Sequence, residues 1–286
     1  MTEILLDNVS YTYSPGTPFE SDAVENVTMR FEGGKTTGII GHTGSGKSTV
    51  AQMLNALIRP TSGRVLLDGH DIWEDEKHIK NVRYKVGLVF QYPEYQLFEE
   101  TVGDDIAFGP KNIGLDDDEI KKRVREAAYF TGIDDDILSR SPFELSGGQK
   151  RRVAIAGVMA MNPDVMVLDE PAAGLDPRGR REILGGLMEY RKSKNNSLVI
   201  ISHSMEDMAL YSDYLYVLSN GKLEMQGTAK DIFSKADELE KMGLSVPQVT
   251  NITSNLRSRG YDIPSGIYTV SDAKDAILSL YRKKAK

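Results

Sequence analysis

Thr36-Thr37-Gly38-Ile39-Ile40-Gly41-His42-Thr43-Gly44-Ser45-Gly46-Lys47-Ser48-Thr49 is the stretch that decides how this 286-residue chain folds. Thr36–Ile40 reads as a short buried strand, and Ser48–Ile58 has helical spacing. Between them Gly41–Thr49 fits G-x-x-x-x-G-K-[ST]. A strand feeding a glycine-rich loop that opens a helix wraps main-chain amides around phosphate oxygens and adds the positive end of the helix dipole. In that pattern Lys47 contacts the β- and γ-phosphates and the Ser48 hydroxyl ligates Mg²⁺. Gly41, His42, Thr43, Gly44, Ser45, Gly46 and Thr49 complete the segment, which is a nucleoside-triphosphate site.

Outward from this loop the same alternation continues. Short β-branched runs at Ile4–Val9, Arg64–Leu67, Val86–Phe90, Val165–Leu168, Leu198–Ser202 and Tyr214–Leu218 alternate with helical spacing at Asp117–Phe130, Gly148–Met161 and Pro177–Lys192. Continuous apolar strands separated by helices predict an α/β fold around a buried, largely parallel sheet. The first 70 residues are richer in turns and alternation, which predicts an antiparallel subsheet. Residues 92–160 read as mainly helical. Two aspartate clusters, Asp116–Asp118 and Asp134–Asp136, each stand before a helical stretch and are expected to cap it. Neither has the alternating oxygen ligands, glycine and terminal glutamate of a calcium loop.

Composition removes several function classes. Hydrophobic residues at 40% and charged residues at 27% describe an ordinary globular chain. A net charge of −7 disfavours generic binding to nucleic acid or anionic lipid. With no cysteine there is no disulfide, no thiolate-ligated zinc and no thiol nucleophile, which fits a reducing compartment. The longest apolar run, Val153–Met161, is far below the roughly 20 residues that span a bilayer. Residues 1–20 lack the features of a secretory leader. The charge is uneven, −10 over residues 1–220 and +3 over 221–286, which sets the C-terminal part apart as a small unit with a basic tail, Tyr281–Lys286.

Val165-Met166-Val167-Leu168-Asp169-Glu170 is an apolar strand ending in two carboxylates. Beside a phosphate loop, Asp169 supports Mg²⁺ directly or through water, and Glu170 is placed to polarise the attacking water. Leu145-Ser146-Gly147-Gly148-Gln149 ends 20 residues before Asp169 and leads into a helical run. It is a second anion nest, made of the Ser146 hydroxyl and the amides of Gly147 and Gly148 at a helix start. One chain does not need two such nests for one nucleotide.

With LSGGQ in place the chain resembles the nucleotide-binding subunits of ATP-binding cassette (ABC) transporters over about residues 1–240. The resemblance implies a P-loop NTPase cassette over residues 1–234, with a parallel core sheet, an antiparallel β subdomain and a helical subdomain at about 92–160. A small C-terminal helical extension, residues 235–286, follows and is expected to form a dimer contact. It implies that Ser146, Gly147, Gly148 and Gln149 of one subunit close on the γ-phosphate held by another subunit's loop. By the same resemblance Tyr13 stacks on adenine, with Tyr11 as the alternative. Gln91 links the metal and the attacking water to a transmembrane partner. Asp176, in Ala173-Gly174-Leu175-Asp176, lies in the loop that crosses the dimer interface, and His203 hydrogen-bonds the γ-phosphate. Ala172 departs from the threonine of many relatives.

Gln91–Val102, Phe108–Asn112 and Asp169–Pro177 narrow the resemblance to the ATPase subunits of energy-coupling factor (ECF) transporters, importers of vitamins and metal ions. Among these the chain looks more like the second of two paralogous ATPases. This implies a peripheral location on the cytoplasmic face of the cell membrane and a heterodimer with an unlike ATPase. It also implies a transmembrane coupling protein and interchangeable substrate-binding membrane subunits. Gln91–Val102 is the segment expected to receive the coupling protein, set against plain core packing of its aromatic residues. The catalytic motifs alone also suit an ABC transporter with a dedicated permease. A soluble ABC protein acting on nucleic acid is disfavoured by the acidic body and by the mere 98-residue step from Lys47 to Leu145.

Overall fold

The computed structural model describes residues 1–284, the side chains of Glu76, Lys283 and Lys284 excepted; Ala285 and Lys286 of the basic tail lie outside the described residues. In chain order the strands are β1 (Ile4–Tyr13), β2 (Ser21–Phe31), β3 (Thr36–Ile40), β4 (Ser62–Leu67), β5 (His70–Asp71), β6 (Val86–Val89), β7 (Val165–Asp169), β8 (Ser197–Ile201), β9 (Tyr214–Ser219) and β10 (Lys222–Gly227). The helices are α1 (Lys47–Leu54), α2 (Ile79–Lys85), α3 (Val102–Ile113), α4 (Asp117–Thr131), α5 (Gly147–Ala160), α6 (Pro177–Lys194), α7 (Met205–Tyr211), α8 (Ala229–Phe233), α9 (Ala236–Lys241), α10 (Gln248–Ser258) and α11 (Val270–Lys284).

The wholly buried strands β3, β7 and β8 form the middle of a six-stranded sheet of order β10-β9-β3-β8-β7-β6, parallel except for β10. Because side chains alternate across a sheet, each strand feeds two cores. Met166, Leu168, Leu198 and Ile200 face the core shared with the helices, including residues of α3, α4, α5 and α6. Val165, Val167, Val199 and Ile201 face the opposite core, shared with α1 and the antiparallel sheet β2-β1-β4-β5. The two sheets meet where Lys222 of β10 pairs with Glu25 of β2 at 3.2 Å and at the hydroxyl of Tyr216. Tyr216 donates to the Arg30 carbonyl at 2.8 Å and accepts from the Arg30 amide at 2.8 Å.

Asp116 caps α4 as expected, accepting from the Glu119 amide at 2.9 Å. The second cluster departs from expectation. Asp134 precedes only the three-residue 3-10 turn Asp135–Ile137 and makes no side-chain cap, while Asp136 pairs with Arg140 at 2.6 Å. So short a turn presents no row of free amides to cap.

Past β10 the chain still feeds the main core through Phe233, Leu239, Leu244 and Val246. A separate small core then forms from Ile263, Ile267 and Ala273, with Val249, Leu256, Ala276 and Leu280 against it. This unit rests on the main body where Tyr268 meets Phe233, 6.2 Å between ring centroids, and where Glu206 accepts from the Gln248 amide at 3.2 Å.

Candidate active site

Parallel strands β3, β7 and β8 deliver their C-terminal ends, and the loops that follow, to one edge of the sheet. From β3 springs the phosphate loop. Gly46 stands at φ +98°, and a Cβ there would lie 2.4 Å from the Ala23 carbonyl, so only glycine lets α1 start so close to β2. The Lys47 ammonium, buried, donates to the carbonyls of Gly41 and His42, both at 2.8 Å. Burial holds its pKa below the ordinary lysine value, and the carboxylates of Asp169 and Glu170 oppose that shift. Thr43, Gly44 and Ser48 form the exposed rim. His42 takes part through its backbone, since its imidazole is turned back to Ser219 and the Asn220 amide, both at 3.3 Å.

The Ser48 hydroxyl donates to Asp169 Oδ2 at 2.6 Å, bringing together two residues 121 apart in sequence. A hydroxyl and a carboxylate are hard oxygen donors of the kind Mg²⁺ takes, so the pair fits that ion. Among the described residues no cluster of three His, Asp or Glu could hold a metal unaided. Burial raises the Asp169 pKa, against its bond to Ser48 and the charge of Lys47.

Glu170 follows at φ +53°, a left-handed conformation held by its amide donating to the Ile201 carbonyl at 2.9 Å. Burial first, and then the neighbouring Asp169, push its pKa up to about 7. Its Oε1 is buried with no hydrogen-bond partner among the described residues. His203 Nε2 lies 3.6 Å from that oxygen, too far for a hydrogen bond. Burial and the charge of Lys47 lower the His203 pKa, which keeps the ring neutral and able to accept as well as donate. Arg180, which carries no motif, also reaches this corner. Its charge moderates the Glu170 shift, and its Nη1 donates to Ser204, the cap of α7, at 3.4 Å.

Tyr13 stands on the last residue of β1, with its hydroxyl 3.2 Å from Thr49 Oγ1 and its ring 39% exposed. Tyr11 packs edge-on against it at 4.8 Å and lies partly buried against the core. Gln91, two residues past β6, is exposed. The Asp176 carboxylate caps α6, accepting from the Gly179 amide at 2.6 Å. Tyr92, Tyr95, Phe98 and Phe108 are all exposed, as two aromatic pairs with centroids 6.3 and 4.9 Å apart. Core packing therefore does not account for them.

The structure thus unites Tyr13, the phosphate loop, Asp169, Glu170 and His203. It leaves the second nest elsewhere. Ser146 caps α5 in a box with Gln149, and Ser146 and Gly147 are exposed. No hydrogen bond or ion pair among the described residues joins Ser146–Gln149 to Gly41–Thr49.

Comparison with known proteins follows the same lines. A family model described as ABC transporter matches residues 24–173. The chain is 49% identical to the energy-coupling factor transporter ATP-binding protein EcfA2 of Caldanaerobacter subterraneus subsp. tengcongensis, over 98% of each chain. It is 50% identical to the EcfA2 of Clostridium acetobutylicum, over 96% of each. Among solved structures, cbiO1 of Clostridium perfringens, part of the ABC transporter complex cbiONQ, superposes with a TM-score of 0.75 at 38% identity, over 88% of this chain and 98% of that one. The ATP-binding cassette MJ0796, solved as a dimer in a post-hydrolysis state with ADP and phosphate, gives 0.72 at 27% identity, over 79% and 98%.

Proposed function

The chain belongs to the ABC transporter family as the ATP-hydrolysing subunit of an energy-coupling factor importer, and on that premise we propose that it works as one half of a heterodimer with an unlike cassette. The observation that carries this reading is a pair of anion nests in one chain, with no hydrogen bond or ion pair between them among the described residues. Gly147 faces open space, with nothing within 4 Å of where a Cβ would stand, so the chain's own packing gives it no reason to be glycine. A phosphate brought by a second cassette does. Closure of the pair then places Ser146–Gln149 on the partner's nucleotide and completes each site.

Within the closed pair Lys47 and the loop amides hold the β- and γ-phosphates, and Tyr13 stacks on the base. Ser48 and Asp169, with Gln91, would hold Mg²⁺, which when bound would supply neutralisation of phosphate charge. Glu170 accepts a hydrogen bond from the attacking water and orients it, and His203 steadies the γ-phosphate. The exposed aromatic patch beside Gln91 receives a transmembrane coupling protein, which in turn serves substrate-binding membrane subunits. The chain would then sit peripherally on the inner face of the membrane. No helix among the described residues is long and apolar enough to cross it. We further assign the C-terminal unit, about residues 235–286, to contact with the partner ATPase.

Glu170→Gln tests the reading. In the complex purified from its native membrane, turnover should fall by about 10²-fold or more while ATP drives a stable closed dimer. Unchanged turnover removes Glu170 from the chemistry. Co-purification of a dedicated permease pair, without a second unlike cassette, overturns the heterodimer.

A further inference from the structure

One buried guanidinium ties together three pieces of the molecule. Arg151 sits on α5, two residues after Gln149, and its side chain is only 4% exposed. Its Nε and Nη2 grip both carboxylate oxygens of Glu94, at 3.0 to 3.1 Å. Glu94 belongs to the 3-10 turn Pro93–Gln96, between the exposed rings of Tyr92 and Tyr95. The third arm, Nη1, donates to the Ala173 carbonyl. The amide of that same Ala173 donates to the Glu170 carbonyl at 3.2 Å. A bidentate, buried arginine–carboxylate pair has far less freedom than a surface ion pair, and Arg is the side chain whose rigid fork can hold a third partner as well.

We propose that Glu94 and Arg151 form a mechanical joint, a pair of positioning residues that moves the aromatic docking turn, the signature helix α5 and the loop leaving Glu170 as one body. The proposal rests on the reading of Tyr92 and its neighbours as the membrane partner's docking surface, and gives that surface a route to the ATP sites. A displacement imposed on the turn is passed by Glu94 to Arg151. From there it reaches Ser146–Gln149 at the head of the same helix, and Ala173 beside Glu170. Among the described residues no hydrogen bond or ion pair joins Glu94 or Arg151 to the phosphate loop, so the joint governs closure and turnover but not the first capture of ATP.

The test uses the full chain in its membrane complex. Since the chain has no cysteine, spin labels can be placed uniquely on it at Gln96→Cys and Glu144→Cys, two exposed positions on the docking turn and just ahead of α5. With Arg151 intact the interlabel distance should be the same with and without ATP. In Arg151→Met it should broaden or shift when ATP is added. Unlabelled Arg151→Met should lose about tenfold in kcat with KM for ATP changed less than about twofold. Glu94→Gln, which keeps the shape of the side chain, should show the same split to a smaller degree, so a folding defect in one variant does not decide the matter. Equal label distances in Arg151→Met, or KM rising in step with the loss of kcat, overturns the joint. The labels can also be read in the ATPase pair alone, so failure to recover a membrane partner counts against the docking surface and not against the joint.

Discussion

At the scale of single residues the site stores its tension in Glu170. Its carboxyl is raised from the ordinary glutamate value of 4.5 to about 7, chiefly by burial. The folded chain therefore holds that proton more tightly than the unfolded chain does. Stability from this group is fully present below pH 4.5 and is lost as pH rises through about 7. A shift of that size corresponds to about 3 kcal/mol. In a chelator and without nucleotide, Glu170→Gln should narrow the stability gap between pH 5 and pH 8 by about 2–3 kcal/mol, read from urea unfolding at the two pH values. An unchanged gap would mean that solvent reaches the carboxylate and the burial account is wrong. The residues of this site fall into two groups by legibility. Lys47, Ser48, Asp169 and Glu170 were readable because each lies in a contiguous run whose backbone conformation the run itself dictates. Arg151 and Glu94 lie 57 residues apart, and no local pattern marks a buried ion pair made across elements.

At the scale of elements, α5 carries a conflict between its own stability and its use. Glycine is a poor helix former, yet Gly147 opens α5 in free space with no positive φ. Gly147→Ala should leave the folded chain as stable as before or up to about 1 kcal/mol more stable. In the proposed pair the added methyl nevertheless stands where the partner's phosphate approaches, so turnover of the assembled pair should drop by an order of magnitude or more. Denaturant midpoints and ATPase rates moving in opposite directions are the signature. Both falling together would show that Gly147 serves this chain's own packing. The elements themselves were legible in proportion to their burial. β3, β7 and β8 are buried on both faces and read as continuous apolar runs. β2 buries alternate residues and is interrupted by polar ones, and β10, Lys222-Leu223-Glu224-Met225-Gln226-Gly227, has almost no β-branched content. Pairing with β1 and β9 makes them strands, and pairing is a property of the fold, not of the segment.

At the scale of the whole molecule, the C-terminal unit leaves an apolar face uncovered. Along α11, Ala273, Ala276 and Leu280 turn inward to the small core. Val270, Ile277, Leu278 and Tyr281 follow on the adjoining flank of the helix and stay 40 to 77% exposed. An exposed stripe of this kind marks a contact surface, and the proposed occupant is the corresponding unit of the partner ATPase. If so, the pair is held in two ways, by ATP between the cassettes and by this face regardless of nucleotide. Closing and opening could then cycle without the subunits parting. Burying two such side chains contributes about 3 kcal/mol or more, roughly a hundredfold in affinity. Ile277→Glu with Tyr281→Glu alters only exposed positions, so the folded chain and its ATP binding through Lys47 should be preserved. The nucleotide-free pair should dissociate at concentrations where the unmodified pair stays whole, as read by light scattering on a sizing column, and ATP with Glu170→Gln should restore it in part. A nucleotide-free pair that survives both charges would mean that the cassettes are held together elsewhere and that α11 faces something other than the partner ATPase.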